Sequence, residues 1–224
     1  MRHLLVAALL PIAAIAQTPC RTPLGVPCHT IRFQLTQWNL FGAGITDVQR
    51  LRIEKLSALR RDGSSLTINN HEVFTLTGGR HIGATLVNIY LTTTGQSVAI
   101  NHDQKLISIW EPDYRPARRS VDGDTTCSTG IRQYGGHFQQ SGQDTVAGIP
   151  VLKWASGDDQ IYLAPGLDCA ALKVGRVTRN SWHVPVHFES VEALSVEFGE
   201  PRPELFMIPK GYRSVDYQAV FLSR

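Results

Sequence analysis

The chain of 224 residues has few of the features that identify a function by themselves. It has only 4 cysteines and 2 methionines, and its formal charge is +3. A charge this small does not indicate a polyanionic partner such as nucleic acid. The absence of low-complexity runs, together with 42% apolar and 18% charged residues, excludes collagen-like, coiled-coil and disordered proteins and is typical of a globular fold.

Motifs of common enzyme classes are also missing. The sequence has no G-x-S-x-G nucleophile elbow, no P-loop and no dinucleotide-binding glycine pattern. His183 and His187 have the spacing of a helical zinc site, but Pro185 lies between them and the neighbouring apolar residues alternate. In a strand the two rings would stand about 13 Å apart. We therefore predict no catalytic residue, no metal and no cofactor; an enzyme remains a third hypothesis.

Long apolar runs are absent except at the start of the chain. Residues 4–16 follow a short basic start and end in Ala14-Ile15-Ala16, a small-x-small pattern that signal peptidase accepts. This run is too short to span a bilayer, which takes about 20 residues. We predict a signal peptide over residues 1–16, cleaved near Ala16. The mature protein would then lie in the periplasm or outside the cell, without stable membrane insertion; a buried N-terminal helix is the alternative.

The four cysteines all follow the predicted cleavage site, and their even number in an oxidising compartment favours disulfides. Three pairings are possible. We favour Cys20–Cys28, which brackets a proline-rich stretch, and Cys127–Cys169, which closes a loop of about 40 residues. A four-cysteine zinc site is the alternative, although its usual C-x-x-C pairs are absent.

Beyond Cys28 the dominant pattern is alternation with a period of two. Ile31, Phe33 and Leu35 alternate with polar residues, as in a half-buried strand. Similar β-rich runs follow, with Gly, Pro and Asp between them, over residues 86–91, 97–100, 105–110, 146–154, 160–163, 169–177, 182–188 and 191–198. This predicts a mainly β fold with minor α: a strongly curved antiparallel sheet or half-open barrel with one or two short helices as a plug.

We expect one domain after the signal peptide. Residues 17–45 would form a disulfide-stapled N-terminal segment with the first strand, and residues 46–224 the rest of the curved sheet. Residues 46–62 allow two interpretations. Thr46-Asp47-Val48-Gln49 resembles a helix capping box, whereas Asp62-Gly63 is a strong hairpin signal. We favour the hairpin.

The C-terminal half carries a recognisable order of segments. It runs from Val146 through Tyr162-Leu163-Ala164-Pro165 to Leu205-Phe206-Met207-Ile208-Pro209-Lys210-Gly211-Tyr212. This order resembles a group of uncharacterised exported bacterial proteins and, more distantly, the lipoprotein-carrier (LolA/LolB-like) half-barrel family, whose chains close on a similar segment. The resemblance implies a bent antiparallel sheet with an apolar concave face that binds acyl chains or lipid-modified proteins.

These observations lead to a first hypothesis: a non-catalytic periplasmic or secreted protein that binds an apolar small molecule, an acyl chain or a lipidated protein on a concave sheet face. The candidate lining residues are large side chains on the strands, namely Tyr90, Trp110, Trp154, Tyr162 and Trp182. The second hypothesis is a cell-envelope interaction or structural protein that acts through strand edges or the loop from Arg115 to Arg119. The sequence does not indicate an oligomeric state.

Overall fold

The computed structural model describes residues 19–41, 47–75, 80–111 and 126–221. The predicted signal peptide and the Arg115–Arg119 loop lie outside these residues. Within them the chain forms twelve strands: β1 His29–Phe41, β2 Asp47–Leu59, β3 Ser65–Thr75, β4 Arg80–Leu91, β5 Gln96–Asn101, β6 Leu106–Trp110, β7 Gln139–Val146, β8 Ile149–Ser156, β9 Asp159–Ala164, β10 Ala170–Arg179, β11 Pro185–Phe198 and β12 Arg213–Ser214.

All twelve strands belong to one sheet. Its spatial order is β12-β6-β5-β4-β3-β2-β1-β11-β10-β9-β8-β7. Neighbouring strands are antiparallel except β12 and β6, which are parallel. The helical elements are short: α1 Ser128–Arg132, α2 Tyr217–Phe221 and the 3-10 turns Pro165–Leu167 and Pro203–Phe206. The prediction of a mainly β fold with minor α is confirmed.

The half of the sheet from β11 to β7 is strongly bent. In a flat sheet these two strands would lie about 19 Å apart, because three strands separate them. Residues of β7 nevertheless approach residues of β11 to within 8 Å between Cα atoms. The sheet remains open, since in the described part of the chain its two end strands, β12 and β7, do not pair with each other.

Residues 47–75 form the predicted hairpin rather than a helix. β2 pairs with β3 continuously from Leu59 opposite Ser65 to Gln49 opposite Thr75. The turn is stabilised locally, because the Asp62 carboxylate accepts a hydrogen bond from the Ser64 amide at 2.8 Å. Gly63 has a φ of 84°, a backbone conformation that residues other than glycine rarely adopt.

Two of the predicted strands contain turns that the pattern of apolar residues did not reveal. The run 146–154 is divided by Ala147-Gly148, which have φ values of 50° and 79° and connect β7 to β8. The run 182–188 begins in a turn, in which the Asn180 side-chain oxygen accepts hydrogen bonds from the amides of Trp182 and Val184, both at 3.0 Å. β11 therefore begins only at Pro185, and it continues without interruption to Phe198.

The histidine pair considered for zinc is accordingly not in one strand. His183 lies in the turn with a φ of 59°, while His187 lies in β11. The premise that both rings project from a single strand is wrong. The reason is the Asn180 side chain, which bonds two nearby amides and so favours a turn over continued pairing.

Both predicted disulfides are present, Cys20–Cys28 and Cys127–Cys169, and none of the four cysteines is free. The second bond ties α1 to the end of the Pro165–Leu167 turn. Cys127, Ile131 of α1 and Cys169 form a buried cluster with side chains of β8 and β9, namely Trp154, Ile161 and Leu163.

The other end of the sheet is covered by the C-terminal segments. Phe206 is buried in a cluster with side chains of β2 to β6, namely Ala58, Leu66, Val87, Ile89, Val98, Ile100 and Ile107, and Leu205 packs against it. Leu205 and Phe206 thus close this edge of the core. α2 lies against β5 and β6, where the fully buried Asn101 side chain donates a hydrogen bond to the Val220 carbonyl at 3.0 Å.

Among the described residues, no helix is both long enough and apolar enough to cross a membrane.

Candidate functional site

A groove of about 540 Å³ lies on the sheet face formed by β2, β1, β11 and β10, with residues that follow α1 along one wall. Its lining consists of His29, Ile31, Phe33, Lys55, Ser57, Gln133, Tyr134, Ala170, Ala171, Val174, Arg176, Glu189 and Val191. This set of residues is called the groove below.

Strand register explains why distant residues meet there. Ile31 lies opposite Ser57, and Phe33 lies opposite Lys55, in the β1–β2 ladder. Because side chains alternate along a strand, residues two apart share one face. The β10–β11 ladder likewise places Val174 opposite Val191 and Arg176 opposite Glu189.

The apolar part of the groove combines buried and half-buried side chains. Ile31 and Phe33 of β1 are 2% and 7% exposed, so they form its floor. Val174 of β10 and Val191 of β11 are half-buried. The apolar surface of these two valines is therefore partly available to an apolar ligand.

Lys55 places a basic group over this floor. Its ammonium nitrogen lies 5.6 Å from the centre of the Phe33 ring. Burial lowers the pKa of Lys55, and the negative charge of Glu189 acts in the opposite direction. The lysine thus bears a desolvation cost that Glu189 offsets only in part.

Arg176 is a second basic group in the groove. Its guanidinium carbon lies 5.6 Å from the centre of the Tyr134 ring, within the range of a cation–π contact. Its Nε atom is buried and has no hydrogen-bond partner among the residues that the structure describes. An unpaired buried donor of this kind is uncommon in native proteins and calls for an explanation.

His29 also lines the groove, and a hydrogen bond fixes its orientation. Its Nδ1 atom lies 2.8 Å from the Pro27 carbonyl oxygen, so Nδ1 carries the hydrogen and donates. Burial lowers the pKa of His29, and the bond to Pro27 opposes this to a smaller extent. The neutral imidazole of His29 is therefore favoured. The charged residues of the groove are then two basic residues, Lys55 and Arg176, and one acidic residue, Glu189.

None of the five aromatic residues singled out in the sequence lines the groove. Trp154 is buried beside α1, with its Nε1 atom lacking a hydrogen-bond partner in the described part of the chain. Tyr162 is buried between Lys153 and Lys173, each 5.6 Å from its ring centre. Ligand binding at these two residues stays a prediction.

The other three aromatic residues are spread over the molecule. Tyr90 is half-buried in β4. Trp110 of β6 packs edge-on against Tyr217 of α2, with ring centres 4.6 Å apart. Trp182 is 81% exposed in the turn before β11. The five residues are therefore not brought together around one concavity.

One cluster of potential metal ligands occurs among the described residues, formed by Cys20, Cys28 and Glu200. Both sulfur atoms belong to the Cys20–Cys28 disulfide and are not thiolate ligands.

Comparison with known proteins adds no assignment at the level of a family. No family model and no curated protein matches the chain. Among solved structures, the chain is similar to a chain in the structure of the MucA/MucB complex from Pseudomonas aeruginosa. The two chains are 12% identical with a TM-score of 0.35, and the match covers 84% of this chain and 58% of that chain.

A second structure, MucB in complex with MucA(peri), gives 13% identity, a TM-score of 0.34, and coverage of 85% of this chain and 57% of that chain. The chain thus spans less than two thirds of the length of these neighbours. At such TM-scores the similarity supports no functional assignment.

Sequence reasoning missed Lys55, Arg176 and Glu189. Each is a charged residue in an alternating strand, and this pattern predicts a solvent-facing position as readily as a groove. Ile31 and Phe33 were identified as inward-facing, because they belong to the clearest alternating run in the sequence.

Proposed function

We propose that this protein is a non-catalytic, exported binding protein that holds an apolar chain, such as the acyl chain of a lipid or of a lipidated protein, in the groove. The observation that carries the proposal is the groove itself, with a volume of about 540 Å³ and a floor formed by Ile31 and Phe33. This volume lies within the about 300–1,000 Å³ typical of small-molecule sites.

The energetics favour an aliphatic ligand. Each methylene group moved from water into an apolar site contributes about 0.8 kcal/mol. An aliphatic chain in the groove therefore gains free energy mainly against the half-buried Val174 and Val191, before the entropic cost of binding. The two disulfides support a location in an oxidising compartment. The resemblance of residues 205–212 to the closing segment of LolA/LolB-like carriers supports the same class of ligand.

Displacement of a fluorescent fatty acid from the mature protein tests this function. We expect saturable binding that is lost in Val174→Trp, because the indole would fill the groove. The matched control is Val184→Trp, since Val184 is 49% exposed in the turn before β11 and outside the groove. Absence of saturable binding by the native protein, or equal binding by both variants, would overturn the proposal. Circular dichroism spectra confirm that each variant is folded.

A second candidate function, an envelope interaction protein, rests on the edge strand β7. This strand ends the sheet, and its residues 139–145 are exposed. An unpaired strand edge is a known site for the addition of a partner's strand. Replacing Gln143 with Pro would abolish such pairing but leave fatty-acid binding unchanged, which separates the two functions.

A further inference from the structure

We infer that the groove contains a subsite for an anionic head group, formed by Arg176 and Lys55, so that the preferred ligand is an amphiphile with one aliphatic chain and a terminal carboxylate or phosphate. This inference rests on the proposed function, since it specifies the ligand class of the same groove.

The groove contains more basic than acidic residues. Lys55 and Arg176 are basic, and Glu189 is the only acidic residue in its lining. Glu189 forms no ion pair within 4 Å of either basic residue in the described part of the chain, although it lies opposite Arg176 in the β10–β11 ladder. One basic group is therefore left without an acidic counterpart in the groove.

The Arg176 guanidinium has an unpaired hydrogen-bond donor among the described residues. Its Nε atom is buried without a hydrogen-bond partner among the described residues, and one face of the group lies over Tyr134. A buried donor costs free energy unless it is hydrogen-bonded. The planar guanidinium has further N–H groups in a fork that matches the oxygens of a carboxylate or a phosphate. An anionic head group in the groove would accept hydrogen bonds from these further N–H groups and would compensate the positive charge of a guanidinium whose Nε atom lacks a partner.

The basic residues Lys55 and Arg176 line the same groove as the apolar floor. Lys55 lies directly over Phe33, and Arg176 is two residues along β10 from Val174. Basic and apolar groups therefore share one face of adjacent strands. A free inorganic anion would leave the apolar part of the groove in contact with water, whereas an amphiphile would occupy both parts.

The test compares three ligands that share a chain of twelve carbon atoms: dodecanoate, dodecyl phosphate and dodecan-1-ol. Their affinities for the mature protein are measured by displacement of an uncharged fluorescent probe. We expect at least one of the two anions to bind about ten-fold or more tightly than the alcohol, since hydrogen bonds to charged groups are the stronger ones. Dodecanoate and dodecyl phosphate separate the two possible head groups. Inorganic phosphate alone should not displace the probe.

The variants Arg176→Gln and Lys55→Met locate the subsite. Each should reduce the ratio of the anion's affinity to the alcohol's affinity, because the contact with the head group is lost. Arg179→Gln and Lys173→Met are the matched controls, because both residues lie in β10 outside the groove. Arg176→Lys keeps the charge, so it should retain part of the tighter binding of the anion over the alcohol. This variant tests the subsite if Arg176→Gln does not fold.

The outcomes separate this inference from the proposed function. If the alcohol binds but neither anion binds more tightly, the head-group subsite is overturned and the apolar groove stands. If Arg176→Gln and Lys55→Met weaken the binding of the anions and of dodecan-1-ol equally, the two residues stabilise the fold and do not contact the head group. The subsite is then overturned as well. If none of the three ligands displaces the probe, the proposed function fails, and the subsite with it.

Discussion

At the scale of single residues, His29 couples protonation to folding. It is 6% exposed, and its Nδ1–H group donates to the Pro27 carbonyl oxygen. Burial lowers its pKa below the ordinary value of 6.5. In the unfolded chain the imidazole regains that value, so the unfolded state binds a proton more readily than the folded state does.

The free energy of unfolding should therefore decrease as the pH falls below 6.5, and the decrease should end once the folded imidazole is also protonated. At pH values well above 6.5 the residue makes no pH-dependent contribution. A pKa lowered by one pH unit corresponds to about 1.4 kcal/mol.

Chemical denaturation at pH 7.5 and pH 5 measures this effect. We expect His29→Gln to lose less stability between the two pH values than the native protein, because glutamine does not titrate and can still donate to Pro27. The same loss in both proteins would show that His29 is not responsible.

Glu200 is a residue whose importance only the structure reveals. Its Oε1 atom forms an ion pair with Arg60 Nε at 3.2 Å, and its Oε2 atom accepts a hydrogen bond from the Arg61 amide at 3.0 Å. Cys20 Sγ also lies 3.0 Å from Oε2. Glu200 thus joins the N-terminal disulfide loop, the end of β2 and the segment after β11.

We expect Glu200→Gln to reduce the free energy of unfolding by about 0.5–1 kcal/mol, a modest value because the ion pair is partly exposed to solvent. Glu204→Gln is the matched control, since Glu204 is exposed and forms no ion pair with any residue that the structure describes. Urea denaturation of both variants tests the difference; equal midpoints would argue against the role of Glu200.

At the scale of structural elements, local signals were predictable and longer-range pairing was not. Asp62-Gly63 specified a hairpin because a carboxylate that bonds a nearby amide and a glycine at positive φ are both local effects. The turn at Ala147-Gly148 was missed because it lies inside an apolar run, from Val146 to Leu152. Leu194 is two residues from the partly buried Val196 in β11, but it is 60% exposed. A bulge in the pairing of β1 and β11 lies at this point and changes the alternation.

The two disulfides should differ in their contribution to stability. Their cysteines are 42 residues apart for Cys127–Cys169 and 8 residues apart for Cys20–Cys28. The loop-closure model gives about 4 kcal/mol for the longer loop and about 2.5 kcal/mol for the shorter one. The longer bond also anchors α1 over β8 and β9.

Replacement of each pair with alanine tests this order by thermal unfolding. We expect the variant without Cys127–Cys169 to have the lower melting temperature of the two. If the variant without Cys20–Cys28 proved the less stable, the short loop would contribute through native contacts, such as those of Glu200, more than through chain entropy.

At the scale of the whole molecule, the order of the strands creates the groove. Lys55 of β2 and Arg176 of β10 reach the same face only because β1 pairs with β11 in the middle of the sheet. Alternation within each strand was visible in the sequence, and it placed Ile31 and Phe33 correctly. The pairing of β1 with β11 is non-local, and no pattern in the sequence specifies it. For this reason the fold class was predictable and the position of the groove was not.

The same order of strands separates the groove from two of the candidate residues, Trp110 and Trp182. Five strand intervals lie between β1 and β6, which corresponds to about 24 Å, and Trp110 is therefore remote from the groove. Trp182 lies in the turn beyond the far end of β10. A ligand bound in the groove and a ligand bound near either tryptophan would thus affect different residues.

Paramagnetic relaxation by a spin-labelled fatty acid, observed in amide NMR spectra of the mature protein, tests the central claim most directly. We expect the amide signals of Ile31, Val174 and Val191 to be broadened most strongly, that of Trp110 to remain sharp, and unlabelled fatty acid to reverse the effect. Broadening centred on Trp110 or Trp182, or no reversible broadening at all, would contradict the central claim.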